Sequence, residues 1–139
     1  MILIDTGAFY ALVDRNDINH EKAKSFYKDI IEKDFICTSL PILTETWLLI
    51  DARLGSYFAD KFMLSIAKGI IEILDIEQED INKALDIEIK YKEAGFGFVD
   101  TTCFALCEKY KIRKVFTFDK RHFSIYKPDF TGSLELYPF

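Results

Sequence analysis

Glycine and proline are scarce in this 139-residue chain, six and three residues respectively. With hydrophobic residues at 50% and mean hydropathy at +0.04, that scarcity excludes collagen-like, low-complexity and disordered classes. Cysteine is sparse as well. Cys37, Cys103 and Cys107 are odd in number and at no zinc-ligand spacing, so we expect free thiols in a reducing compartment, without disulfide or zinc. Long apolar runs are missing: Met1 to Ile4 and Trp47 to Ile50 fall far short of the roughly 20 residues that cross a bilayer. No basic stretch followed by an apolar one opens the chain, because Asp5 interrupts at once, and a cytoplasmic location is expected. Positive charge is also in deficit, 18 basic residues against 23 acidic, a net of −5. That balance argues against a broad basic surface for nucleic acid. It leaves open a cleft whose carboxylates hold cations, because the ions invert the local charge.

What is present is an alternation of strands and helices within one domain, residues 1–139. Met1 to Ile4 reads as a strand ended by Asp5, and Gly7 to Val13 as a helix. Ala23, Phe26, Tyr27, Ile30 and Ile31 recur at helical spacing within Ile18 to Lys33, with Asp17 or Asn19 as the cap. Phe35 to Thr38 reads as a second strand. Pro41 fits the first turn of a helix that Gly55 stops, and a further helix covers Ser56 to Lys68. Ile70 to Ile76 reads as a third strand and Gln78 to Lys92 as a helix. Ala94 to Gly97 is a sharp loop before a helix from Phe98 to Tyr110. Lys114 to Phe118 is a fourth strand, and Leu134 to Leu136 adds a short fifth. Parallel strands need helical crossovers, so the series predicts an α/β three-layer sandwich: a mainly parallel sheet of four to five strands flanked by helices.

In such sheets ligands gather at the carboxyl edge of the strands. Asp5 and Asp119 follow the first and fourth strands directly. A crossover helix begins at that same edge, which brings in Glu45 and Asp100, each near a helix start. Four acids on one edge repel one another, and a bound cation is the direct way to keep them ionised. Oxygen ligands without cysteine or paired histidine suit Mg²⁺ or Mn²⁺, one ion or two. Such ions activate water and neutralise a phosphoryl group, which points to phosphodiester hydrolysis. Thr6 and Thr117 stand where they can cap a helix or orient a carboxylate, and Lys120, Arg121 and His122 form a basic cluster suited to phosphate contacts. Asp75 also ends a strand and is expected to be a turn residue. His20 is expected to be structural. Trp47, Leu48 and Leu49 spread round one helix and suggest burial on more than one side.

Ile2-Leu3-Ile4-Asp5-Thr6, Glu45 on a helix, Phe98-Val99-Asp100 opening a helix, and Val115-Phe116-Thr117-Phe118-Asp119 followed by Phe123 together resemble a PIN domain. The short single domain is similar to the VapC-like ribonuclease toxins of toxin–antitoxin pairs. The resemblance implies a Mg²⁺- or Mn²⁺-dependent endoribonuclease with Asp5, Glu45, Asp100 and Asp119 as its acidic quartet. It further implies a homodimer and a small antitoxin that occupies the cleft. Gly7 departs from the small polar residue that relatives often carry there. Two other functions remain open from the sequence. One is a phosphatase or phosphotransferase with Asp5 as nucleophile, for which Gly7 replaces the second acid such chemistry uses. The other is a catalytically inactive PIN-like RNA-binding module.

Overall fold

A computed structural model describes residues 1–139. Five parallel strands form one sheet in the order β3-β2-β1-β4-β5. They are β1 (Ile2–Ile4), β2 (Ile36–Ser39), β3 (Glu72–Leu74), β4 (Lys114–Phe116) and β5 (Glu135–Tyr137). The helices between them are α1 (Thr6–Val13), α2 (His20–Ile30), α3 (Leu40–Leu54), α4 (Ser56–Ala67), α5 (Gln78–Lys90), α6 (Gly97–Tyr110) and α7 (Lys120–Ile125). No helix is long and apolar enough to cross a membrane.

The chain steps outward from β1 to β2 to β3, then returns to the other side of β1 with β4 and continues to β5. Right-handed crossovers therefore place α1 to α4 on one face of the sheet and α5 and α6 on the other. The reversal lies between β1 and β4, where Ile4 pairs with Phe116. An open parallel sheet leaves its crevice at such a switch point.

The expected boundaries hold to within a few residues for most elements, and the differences have local causes. β3 is shorter than Ile70 to Ile76: Ile70 lies exposed before it, and Ile73 at its centre is exposed as well, because β3 is an edge strand with one neighbour. The turn after α5 contains a single 3₁₀ turn, Lys92–Ala94, and Gly97 adopts φ +82 to start α6, a left-handed value that glycine accepts without a Cβ clash. α7 falls in a stretch to which the sequence pattern assigns no element. Asn19 precedes α2 without a side-chain cap, and the Asp17 carboxylate instead accepts the Asn19 N–H at 2.8 Å. His20 is structural: its Nδ1 lies 2.8 Å from the carbonyl of Ala11.

One cluster of 32 buried apolar residues joins strands and helices, so there is no second core. Phenylalanine supplies much of the cement. Phe26 of α2 meets Phe116 of β4 edge-on at 4.9 Å, while Phe104 of α6 meets Phe123 of α7 at 5.2 Å and stacks on Tyr126 at 4.3 Å. Aromatic pairs of this kind add about 0.5–1.5 kcal/mol beyond area burial. They dock a helix of only six residues, too short to be stable by itself.

Candidate functional site

Asp5 leaves β1 in an extended conformation and becomes the N-cap of α1. Its Oδ1 accepts the Ala8 N–H at 3.0 Å, and its Oδ2 accepts the Thr117 hydroxyl. Thr117, fully buried just past β4, also accepts the Asp119 N–H at 2.9 Å. Asp119 is in turn the N-cap of α7, its Oδ1 accepting the His122 N–H at 3.1 Å. Strand termination and helix capping are thus both true of Asp5 and Asp119. Neither role uses all their oxygen lone pairs, since an ionised carboxylate has about four acceptor sites.

Asp100 sits in the first turn of α6, where Phe96 occupies the cap position, so capping does not account for it. Glu45 is exposed in the second turn of α3, whose cap is Ser39. All four acids line one cavity of about 200 Å³, together with Thr6, Gly7 and Cys103. Asp75 is exposed at the end of β3 and lines no part of it.

The electrostatics follow from burial and crowding. Burial raises the Asp5 carboxyl to about 7, with Asp100 and Asp119 adding to the rise and the bonds from Thr117 and Ala8 opposing it. Burial also raises Asp100 to about 6, reinforced by Asp119 and Glu45 and opposed by His122. The Cys103 thiol is held far above its ordinary value by its hydrogen bond with Cys107 and by burial, which removes it as a thiolate nucleophile.

Two buried polar atoms here lack hydrogen-bond partners: Thr6 Oγ1 and His122 Nδ1. Thr6 therefore neither caps α1 nor bonds Asp5; Asp5 caps the helix itself. His122 is drawn inward, its Nδ1 3.1 Å from Asp100 and 3.0 Å from Asp119, while Lys120 and Arg121 remain exposed on α7. Lys120 lies over the Phe139 ring at 5.2 Å. Crowded acids with raised pKa values beside unpartnered polar atoms fit a divalent cation, which would relieve both costs. His122, expected among the phosphate contacts, faces the acids instead. The Asp-x-x-His spacing was the available signal for its inward turn, because an Asp that caps a helix lies beside the residue three later.

A larger groove of about 600 Å³ runs between α3 and α4, lined by Leu40, Trp47, Leu48 and Met63 among others, with no charged residue. Leu48 is exposed there and Trp47 half-buried, so this helix face is not enclosed on all sides. It offers no ionisable side chain, unlike the smaller acidic cavity.

A parallel α/β sheet with four carboxylates converging at its switch point defines the class. The family model described as PIN domain matches residues 2–128, and the chain belongs to the PIN domain family. It is 26% identical over 141 residues to a Mycobacterium tuberculosis protein named Ribonuclease VapC26, covering 99% of this chain and 100% of that one. It is 27% identical over 119 residues to the 23S rRNA-specific endonuclease VapC20 of the same organism, covering 86% and 89%. It is 27% identical over 123 residues to a VapC ribonuclease of Archaeoglobus fulgidus, covering 86% and 77%. The crystal structure of Mycobacterium tuberculosis VapC20, described as a Sarcin-Ricin loop cleaving toxin, superposes with a TM-score of 0.79 at 24% identity over 88% of this chain and 93% of that one.

Proposed function

We propose that this chain is a metal-dependent endoribonuclease and the toxin of a toxin–antitoxin pair. The observation that carries the proposal is the convergence of Asp5, Glu45, Asp100 and Asp119, from four separate elements, on one small cavity. Family membership and the ribonuclease names of relatives across nearly the whole chain support it.

Asp5, Asp100 and Asp119 would hold Mg²⁺ or Mn²⁺, with Glu45 completing the set or positioning the attacking water. A divalent ion bound there lowers the pKa of coordinated water and offsets phosphoryl charge. The chain's own residues set the geometry. Thr117 and the Ala8 N–H fix both oxygens of Asp5, and the α7 N-terminus fixes Asp119. Glu45, exposed at the rim, is the acid free to take a proton from water on the substrate side. Lys120 and Arg121 on exposed α7 suit the RNA backbone, whose phosphates fix register without reading sequence. The same family reading brings a second copy of the chain and a small antitoxin as partners, in the cytoplasm.

The test is cleavage of total RNA by purified protein with Mn²⁺ or Mg²⁺, followed by mapping of product ends. 23S rRNA is the first substrate to map, given the VapC20 name. Discrete cuts by the wild type and none by Asp5→Asn are expected. Equal cleavage by a folded Asp5→Asn protein would overturn the assignment.

A further inference from the structure

We propose that His122 contributes a ring nitrogen to the cation, so that the centre holds one imidazole among carboxylate oxygens and favours Mn²⁺ over Mg²⁺. The inference rests on the metal reading above and adds a ligand outside the acidic quartet.

His122 Nδ1 lies 3.0 Å from Asp119 Oδ2 and 3.1 Å from Asp100 Oδ2, and one donor atom from each of the three residues falls within 4.8 Å of the others. A protonated ring would form ion pairs at these separations, but the buried Nδ1 makes no hydrogen bond of good geometry to either carboxylate, which leaves its in-plane lone pair available to an ion between them. The same separations match the edge of an octahedron: Mg²⁺ bonds of about 2.0–2.1 Å place adjacent ligands about 2.8–3.0 Å apart, and the larger Mn²⁺ places them slightly farther.

The ring is also held in place. Phe96 packs edge-on against it at 5.6 Å and 89°, and the His122 backbone N–H is committed to Asp119 Oδ1. Aromatic packing by Phe104, Phe123 and Tyr126 fixes α7 beneath it. A rotamer locked by its neighbours is what a metal ligand needs and what a surface phosphate contact does not. Mg²⁺ takes oxygen ligands and dehydrates reluctantly, whereas Mn²⁺, at home among carboxylates and the first of the divalent transition series, also accepts an imidazole, so the nitrogen tilts selectivity from Mg²⁺ toward Mn²⁺.

The experiment is pulsed electron paramagnetic resonance on untagged, Mn²⁺-loaded full-length protein, with Mn²⁺ and Mg²⁺ affinities measured by calorimetry. The chain has two histidines, and the other, His20, faces the Ala11 carbonyl. The wild type is expected to show nitrogen modulation that changes to the ¹⁵N pattern when histidine alone is ¹⁵N-labelled. His122→Gln is expected to lose that modulation and to lower Mn²⁺ affinity relative to Mg²⁺ by about tenfold, the scale of removing one supporting contact at a metal. Mn²⁺ bound without histidine modulation in the wild type would overturn the His122 assignment and leave the metal reading standing. Modulation that survives in His122→Gln would overturn it too. No Mn²⁺ binding by the wild type would overturn both. The labelling arm needs no variant, so a folding defect in His122→Gln cannot mask the answer.

Discussion

Thr117 donates its hydroxyl to Asp5 and accepts the backbone N–H of Asp119, so one buried side chain sets the relative positions of two acids 114 residues apart. The bond to Asp5 favours the ionised carboxylate, against the burial that opposes ionisation.

Thr117→Val removes both bonds. It is expected to cost about 1–3 kcal/mol of stability, because the Asp119 N–H and an Asp5 oxygen lose partners. It should also raise the Asp5 pKa further, so Mn²⁺ affinity at pH 6 falls more than affinity at pH 8. Thr117→Ser keeps the hydroxyl and should restore both quantities. Calorimetric titration at the two pH values checks this. Equal losses at both would mean Thr117 only packs.

Stability of the metal-free protein should depend on pH in a defined sense. Asp5 and Asp100 rise in the folded state from 3.8 to about 7 and about 6. The folded chain therefore holds protons that the unfolded chain releases, and their contribution is greatest below pH 4 and declines as pH rises through 6 and 7. Thermal melts in chelator should show this contribution falling from pH 5 to pH 8. Mn²⁺ should raise the midpoint more at pH 8 than at pH 5, since binding requires the protons to leave. Asp5→Asn should flatten the pH dependence. An unchanged slope in that variant would show that the buried carboxyl is not its source.

Glu108, buried on α6, accepts both the Tyr126 hydroxyl and the Asp129 N–H, the latter at 2.7 Å. These bonds tie the segment after α7 to the helix that carries Asp100. Glu108→Ala is expected to lose about 1–3 kcal/mol by leaving two donors unpaired, and Glu108→Gln to recover most of it through its amide oxygen. Denaturant melts of the two variants decide.

Much of the site was legible because its acids sit at positions that chain direction determines. Asp5 and Asp119 follow strands, and Glu45 and Asp100 lie near the starts of crossover helices, so parallel topology alone puts them on one edge. Convergence on one cavity needed the strand order, with β1 and β4 adjacent, which no local pattern encodes. α7 escaped because six residues hold less than two turns of periodicity, and its stability comes from aromatic contacts with α6. The inward turn of His122 escaped with it. Thr6 was expected to cap or orient, but Asp5 already accepts the N–H a cap would take. Leu48 shows the converse limit: apolar residues all round α3 suggested enclosure, yet one side faces an open groove.

Lys120→Glu with Arg121→Glu should weaken RNA binding and reduce its dependence on salt, because each lost phosphate contact removes about one released counterion from the slope. Mn²⁺ should still bind, since both side chains are exposed and the acidic quartet is retained. Binding isotherms at several salt concentrations test this. An unchanged slope would place the RNA elsewhere.

If the acids of the small cavity work by holding a divalent ion, RNA cleavage by protein stripped with chelator, assayed before and after Mn²⁺ is restored, reads it out. Cleavage should vanish on stripping and return with the ion in the wild type, while Asp5→Asn stays inactive throughout. Full-rate cleavage by the stripped enzyme would contradict the account.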